Sequence, residues 1–303
     1  MSEIIPLIIQ QMDKVIKKEN TIRYAAFILI QSVVYGFGNP LTKVAYRTLT
    51  PFWLLSVRFL LAFALFWIFK RQSIKSLLRP SEMKIWLPSA LCGSAAYISI
   101  NMALNLTSAT NVGFLMSLPV LFAPILESVV KKRKYQLRHL PLQFLAVVGL
   151  YMLCCNGGSF TFRTGDLLAL LSALFLAGML VFGESAVSKL DPVAFTACQA
   201  GTTAVCSLVL ALLFEDSAVL KRADLPAWLV VVYLAVTCTI LAYLMQNIAI
   251  RHLSSRSVSM LQCTQPILTA AASFLLLRET LSAIGLIGAA VIIVAVLLDT
   301  MQK

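Results

Sequence analysis

The chain alternates between long apolar runs and short polar connections. A membrane-spanning helix needs about 20 mainly apolar residues, because each residue adds about 1.5 Å along the helix axis. The runs of this chain have that length, so we expect an all-α membrane protein with ten transmembrane helices. They lie at residues 24–46, 51–69, 84–105, 109–130, 139–156, 165–187, 192–214, 226–250, 254–276 and 281–299.

Two stretches of the chain are similar to each other. Residues 107–119 (TSATNVGFLMSLP) and residues 254–266 (SSRSVSMLQCTQP) each begin with small hydroxyl residues and end in a proline. Each predicted half, 21–156 and 165–299, holds five spans, so the second half enters the membrane from the opposite side. The pattern predicts two inverted five-helix repeats, a geometry from which alternating access follows. Further correspondences pair Pro51 with Pro192, Tyr97 with Tyr243 and Asn101 with Asn247.

Composition agrees with a lipid environment. Hydrophobic residues make up 59% of the chain and charged residues 13%, and mean hydropathy is +0.87. One or two soluble cores could not bury that much apolar surface. The seven cysteines fall inside predicted spans without metal-ligand spacing, so we expect packing roles for them, no metal and no cofactor.

The distribution of charge predicts the topology. With the N-terminus inside, 18 of the 25 Lys and Arg residues lie on the inner side, so the positive-inside rule places both termini in the cytoplasm. The net charge of +12 is therefore a topology signal, and we expect no nucleic-acid partner. We interpret residues 1–20 as an amphipathic helix on the inner leaflet, with a frayed tail as the alternative.

Three sequence patterns resemble a known family. The first span contains Gly36, Pro40 and Lys43 in a G-x-x-x-P-x-x-K arrangement, and Arg58 follows Pro51 by seven residues. Near the last span, Pro266 is followed by Arg278 and Glu279. Over residues 24–299 the chain resembles the EamA-type members of the drug/metabolite transporter superfamily, which move metabolites, amino acids, sugars or drugs.

The resemblance implies a cavity between spans one, three, four, six, eight and nine. It also implies that Lys43 is a substrate-binding residue, because the family motif has a lysine at that position. The chain departs from the family where an acidic residue often follows span four, since Lys131 and Lys132 stand there. The function of that acidic residue is therefore not carried over to the first half.

Polar side chains inside a bilayer normally face the bundle interior or a water-filled cavity. Small and hydroxyl residues at helical spacing can equally be helix–helix contacts, whereas amides and tyrosines keep donors and acceptors that such packing leaves unsatisfied. The predicted substrate-binding residues are Tyr35, Asn39, Lys43, Tyr97, Asn101, Asn111, Phe175, Tyr243, Gln246, Asn247, Gln262 and Gln265.

Few charges fall inside spans. We expect Arg58 to bond freed carbonyls or a neighbouring helix in a structural role, and Glu127 to pair with Lys131 at i,i+4. Glu184, with Lys189 as its candidate partner, is the candidate proton-coupling carboxylate. Prolines inside spans four and nine free a carbonyl about one turn earlier, which makes either a rigid kink or a hinge.

We therefore expect a transporter that moves a small amino acid-like, aromatic or organic-cation solute across a bacterial inner membrane, with export favoured. A lipid flippase is the alternative. An intramembrane enzyme is weaker, because H-E-x-x-H and G-x-S-x-G are missing from the sequence. Expected partners are the solute, the lipid bilayer and protons, and the chain is a monomer or a homodimer.

Overall fold

The computed structural model describes residues 4–107, 109–132, 137–155, 163–277 and 282–301, and these ranges contain helices and no strand. Side chains are described from Thr21 onward, apart from a few positions beside the gaps. The α-helices are α1 (Ile4–Ala45), α2 (Pro51–Leu77), α3 (Pro80–Leu106), α4 (Ala109–Leu115), α5 (Pro119–Val130), α6 (Leu140–Cys155), α7 (Thr164–Val187), α8 (Pro192–Phe214), α9 (Val219–Arg222), α10 (Leu225–Tyr233), α11 (Tyr243–Ile250), α12 (Ser255–Gln262), α13 (Gln265–Leu277) and α14 (Ala283–Met301).

Within the described part of the chain, nine helices are long and apolar enough to cross a membrane. They correspond to nine of the ten predicted spans. The remaining segment, 254–276, is divided into α12 and α13 and is not among the nine. The tenth crossing stays a prediction.

The helix α1 runs without interruption from Ile4 to Ala45, with Pro40 inside it. The backbone of the predicted amphipathic segment is thus helical and continuous with the first span, while the side chains of residues 4–20 lie outside the described residues. Arg278 and Glu279 also lie outside the described residues.

The helices pack in a pattern with approximate two-fold symmetry. The helix α2 packs on its repeat counterpart α8, and α6 packs on its counterpart α14. The contact of α3 with α7 is matched by contacts of α1 with α10 and α11, and the contact of α1 with α13 is matched by that of α5 with α7. This is the packing expected of two related five-helix halves, and it fits the predicted repeat architecture.

The two central prolines interrupt their spans. Three turn residues separate α4 from Pro119, the first residue of α5, and a two-residue turn separates α12 from α13, whose second residue is Pro266. A proline cannot donate a backbone hydrogen bond and its ring disfavours the preceding turn. The similar stretches of the sequence therefore form two broken helices, one in each half.

Candidate functional site

A cavity lies between the two halves, at the level of both helix breaks. Met116, Ser117 and Pro119 line it at the first break, and Gln262 and Gln265 line it at the second. Seven of the predicted site residues line this cavity. They are Tyr35, Asn39, Tyr97, Asn101, Gln246, Gln262 and Gln265.

Three glutamines from both halves form one hydrogen-bonded cluster in the cavity wall. Gln246 Oε1 accepts from Gln31 Nε2 and from Gln262 Nε2, the latter at 2.8 Å. The Nε2 atom of Gln262 also lies 3.3 Å from Gln31 Oε1. Burial of an amide is favourable only with such partners. The cluster therefore fixes α1, α11 and α12 against each other beside the cavity.

Tyrosine hydroxyls form a second polar region. The hydroxyls of Tyr35 and Tyr97 lie 3.0 Å apart, and either can be the donor. Tyr46 donates to Asn101 Oδ1 at 2.6 Å, and Asn101 Nδ2 donates to the carbonyl of Tyr97 at 2.8 Å. The amide of Asn39 has a weak partner, the Sδ atom of Met116 at 3.8 Å. These groups give α1 and α3 a polar face toward the cavity.

A cation, Arg58 of α2, also lines the cavity, although its position in the sequence predicts a structural role. Its Nε donates to Thr239 Oγ1 at 2.8 Å, so the predicted bond to a neighbouring helix exists. The guanidinium lies over the rings of Phe59 and Tyr97, with Cζ 5.0 and 5.5 Å from the ring centroids. Arg58 also lines the cavity, and its contacts with Thr239, Phe59 and Tyr97 do not explain why a cation lies there.

A π-helical segment accounts for the position of Thr239. Residues Leu234–Ala242, between α10 and α11, form a π-helix, a wider turn that is frequently found at functional sites. The hydroxyl of Thr239 donates to the carbonyl of Leu234, five residues earlier, at 3.1 Å. Leu234 and Cys238 of the same segment line the cavity. The wide turn thus presents Thr239 to Arg58.

Four other predicted site residues are not part of the described cavity lining. Tyr243 is fully buried and donates to Met179 Sδ at 3.3 Å. Asn247 donates to Thr196 Oγ1 and Gln199 Oε1, at 2.9 and 2.7 Å, on α8. Lys43 donates to the carbonyl of Thr107 at 3.2 Å, and Phe175 is half-buried outside the lining. The side chain of Asn111 lies outside the described residues.

An ion-pair cluster joins three spans at one end of the bundle, which we call the Lys131 end. Lys131 Nζ contacts Glu127 Oε1 at 3.0 Å and Glu184 Oε1 at 2.5 Å. The Glu127–Lys131 pair is as predicted, whereas Glu184 pairs with Lys131 and the suggested pairing with Lys189 is wrong. Burial disfavours the charged lysine, but hydrogen bonds to Glu184 and Glu127 outweigh this and raise the pKa of Lys131.

The same two carboxylates bind the start of α12. Glu184 Oε2 accepts from the backbone amide of Ser255 at 2.8 Å, and Glu127 Oε2 accepts from the Ser255 hydroxyl at 3.0 Å. Carboxylates are favourable at a helix N-terminus because they satisfy free amides and oppose the helix dipole. The cluster therefore holds α5, α7 and α12 together at the Lys131 end.

At the opposite end, a carboxylate holds the start of α2. Glu215 accepts from the Thr50 hydroxyl at 2.6 Å and from the backbone amides of Phe52 and Trp53 at 3.0 and 2.9 Å. Asp166, at the start of α7, accepts from the Thr107 hydroxyl at 2.8 Å. Both ends of the cavity are thus crossed by hydrogen bonds between helices.

An apolar bundle of this kind, with broken helices and a polar cavity between two related halves, defines a multi-pass membrane protein with the architecture of a secondary transporter. The comparison with known families agrees. The EamA-like transporter family matches residues 22–155 and 163–301, and the chain belongs to that family.

Individual relatives are consistent with this assignment. Two proteins of Archaeoglobus fulgidus are both named "uncharacterized transporter". The first is 24% identical, and the match covers 91% of this chain and 85% of that protein. The second is 28% identical, and the match covers 86% of this chain and 91% of that protein. A crystal structure described only as that of a protein has the same fold, with a TM-score of 0.75 and 18% identity over 91% of this chain and 97% of its own. The family and the relatives' names indicate a transporter and not an enzyme.

Proposed function

We propose that the protein transports a small solute across a cell membrane by alternating access, with the central cavity as its binding site. The observation that carries the proposal is that both halves contribute matching broken helices to one polar cavity. In inverted-repeat transporters, a substrate site at the repeat interface becomes accessible from each side in turn as the halves exchange conformations.

The proposed orientation has ten crossings with both termini in the cytoplasm. The Lys131 end then faces the cytoplasm, and it carries the basic residues that the positive-inside rule requires there. The basic inner side supports insertion in a cell membrane with this orientation. A bacterial inner membrane and export as the favoured direction are part of the proposal.

The contacts of Glu184 suggest a role in opening and closing the Lys131 end. The carboxylate lies outside the cavity lining and holds α12 through Ser255. Protonation of Glu184 would weaken both this contact and the pair with Lys131, which is how proton coupling would act through it. Glu184→Gln tests this idea, because proton-dependent transport that is unchanged in the variant excludes Glu184 as the coupling residue.

The transport proposal is tested with protein in liposomes. A thermal-shift screen against amino acids, organic acids, nucleosides, sugars and amines first identifies solutes that bind the native state and raise its apparent stability. Counterflow of the radiolabelled hits then measures transport. We expect Gln262→Leu to reduce counterflow at least tenfold.

Gln143→Leu is the control, since Gln143 is also a glutamine of a spanning helix and is more deeply buried than Gln262, but it lies in α6 outside the cavity lining. It should transport at the rate of the unmodified protein. Equal losses in both variants, or counterflow that survives Gln262→Leu, would contradict the cavity as the binding site.

A further inference from the structure

Arg58 is a buried cation at the wall of the cavity. It is 6% exposed and lies seven residues into α2, roughly 10 Å from the start of that helix at about 1.5 Å per residue. Among the described residues, the cavity lining holds no carboxylate and no second cation. A charge at such depth is costly and typically marks a functional site with a partner.

The contacts of Arg58 leave part of its guanidinium without a partner. An arginine has five N–H donors in a planar fork. Nε is used by Thr239, and the aromatic rings of Phe59 and Tyr97 lie against the group. Nη2 is buried and has no hydrogen-bond partner in the described part of the chain. The terminal donors, which recognise carboxylates bidentately, are therefore the free ones.

The acid that contacts the start of the same helix is bound by other groups. Glu215 lies near the start of α2, where its two oxygens accept from Thr50, Phe52 and Trp53. Its hydrogen bonds are used to satisfy free amides at the helix start. In the described part of the chain, Arg58 thus contacts aromatic rings and a hydroxyl but no carboxylate, which leaves room for a counter-ion from a ligand.

Other features of the cavity also favour an anion with an apolar body. The helices α5 and α13 begin at the cavity, so the positive ends of their dipoles face it. The hydroxyls of Tyr35 and Tyr97 are bonded to each other, so one of the two O–H groups remains available as a donor to a ligand. Ile100, Leu104 and Leu176 supply an apolar part of the lining.

We propose that Arg58 binds the carboxylate of a monoanionic solute whose apolar body occupies the rest of the cavity. This inference rests on the proposed transport function and deepens it by naming the substrate class. A single lining cation neutralises one negative charge, so a dianion such as a phosphate monoester would carry an uncompensated charge into the cavity. An organic cation would be repelled, which argues against that part of the solute range expected from the sequence.

Matched solutes that share a body and differ in the head group test the substrate class. Purified protein is titrated with 3-phenylpropionate and 3-phenylpropylamine, hexanoate and hexylamine, and indole-3-propionate and tryptamine, with phenyl phosphate as the dianion. Thermal shift gives binding and counterflow in liposomes gives transport. We expect one or more acids to bind and exchange, while their matched amines and phenyl phosphate do not.

Variants test the residue. Arg58→Gln should weaken binding of the acid about 10- to 100-fold, the usual worth of a hydrogen bond to a charged group. Arg58→Lys should keep the preference for acids with a smaller loss, because an ammonium retains the charge but not the bidentate fork. Arg47→Gln, which removes an exposed arginine outside the cavity, should bind like the unmodified protein.

Thr239→Val is the second variant if Arg58→Gln does not fold. It keeps the guanidinium but removes its fixed partner, so it should weaken acid binding less than tenfold and preserve the preference for acids. Acid binding that survives Arg58→Gln, amine binding equal to acid binding, or tighter binding of phenyl phosphate would overturn the assignment of Arg58 to a monocarboxylate. Exchange of amines alone would leave the transport proposal intact, whereas no binding or exchange by any solute class would overturn both.

Discussion

The crossing of α6 and α14 allows a test of the packing between the two halves. The backbones meet at Gly149 and Gly288, and a Cβ atom added to Gly288 would lie 2.5 Å from Leu153 N, 2.6 Å from Gly149 O and 2.8 Å from Met152 Cβ. Ordinary contact begins at 3.4 Å, so Gly288→Ala requires the helices to separate by about 0.9 Å at the closest atom. The two nearest atoms belong to backbone and cannot move as a side chain can.

The expected cost follows from these distances. Overpacking by one methyl group costs about 1–3 kcal/mol, and the upper part of that range applies because backbone must move. Alanine favours a helix over glycine by about 1 kcal/mol, but helices in a bilayer stay largely formed when they separate, so little of that gain is recovered. We expect a loss of about 2–3 kcal/mol for Gly288→Ala.

Unfolding in mixed detergent micelles with increasing sodium dodecyl sulfate measures this free energy. Gly149→Ala, with its closest contacts at 2.9 Å, should lose less than Gly288→Ala. Gly113→Ala is the control, because in the described part of the chain no atom outside its own helical turn and chain neighbours lies within 4 Å of the added Cβ, and its stability should stay equal or rise slightly. A Gly288→Ala protein as stable as the control would refute the close packing of α6 on α14.

Two further variants test the helix ends. Glu215→Gln should destabilise the protein by about 1–3 kcal/mol, since it removes the charge that accepts three hydrogen bonds at the start of α2. Unfolding with sodium dodecyl sulfate measures this loss. An unfolding midpoint equal to that of the unmodified protein would contradict these contacts. His252 stacks on Tyr24 at 3.9 Å, and burial together with the charge of Arg251 lowers its pKa. Because the folded state then binds the proton less readily than the unfolded state, stability contributed by neutral His252 is lost as pH falls below its usual pKa of about 6.5. His252→Phe, which keeps the stack, should show a smaller loss of stability between pH 7 and 5, and an identical loss would exclude His252 as the cause.

The sequence predicted the spans and part of the site for identifiable reasons. Apolar runs of membrane length locate helices without knowledge of their packing. Amides inside spans are not explained by small-residue contacts, so Gln246, Gln262 and Gln265 could be predicted as cavity residues, and all three line the cavity. The hydrogen-bonding groups of these side chains were enough to identify them without knowledge of the fold.

The missed features depend on packing. The prediction for span eight assumes a uniform α-helix. The π-helical turns of Leu234–Ala242 change the direction in which the following side chains point. Tyr243 and Asn247 consequently contact neighbouring helices. The sequence predicts a structural role for Arg58, through bonds to freed carbonyls or a neighbouring helix, because it does not show that the side chain also lines a cavity. Only the fold shows that Glu215 is bound to the start of α2.

The pairing of α2 with α8 and of α6 with α14 has a consequence for the origin of the protein. In each pair a helix meets its own repeat counterpart, the relationship that identical patches have in a two-fold dimer. Two separate copies of a five-helix chain would carry the same pair of self-complementary faces. Fusion into one chain replaces a concentration-dependent association by an intramolecular one. Each half is then free to diverge, as the change from leucine to glutamine between Leu115 and Gln262 illustrates.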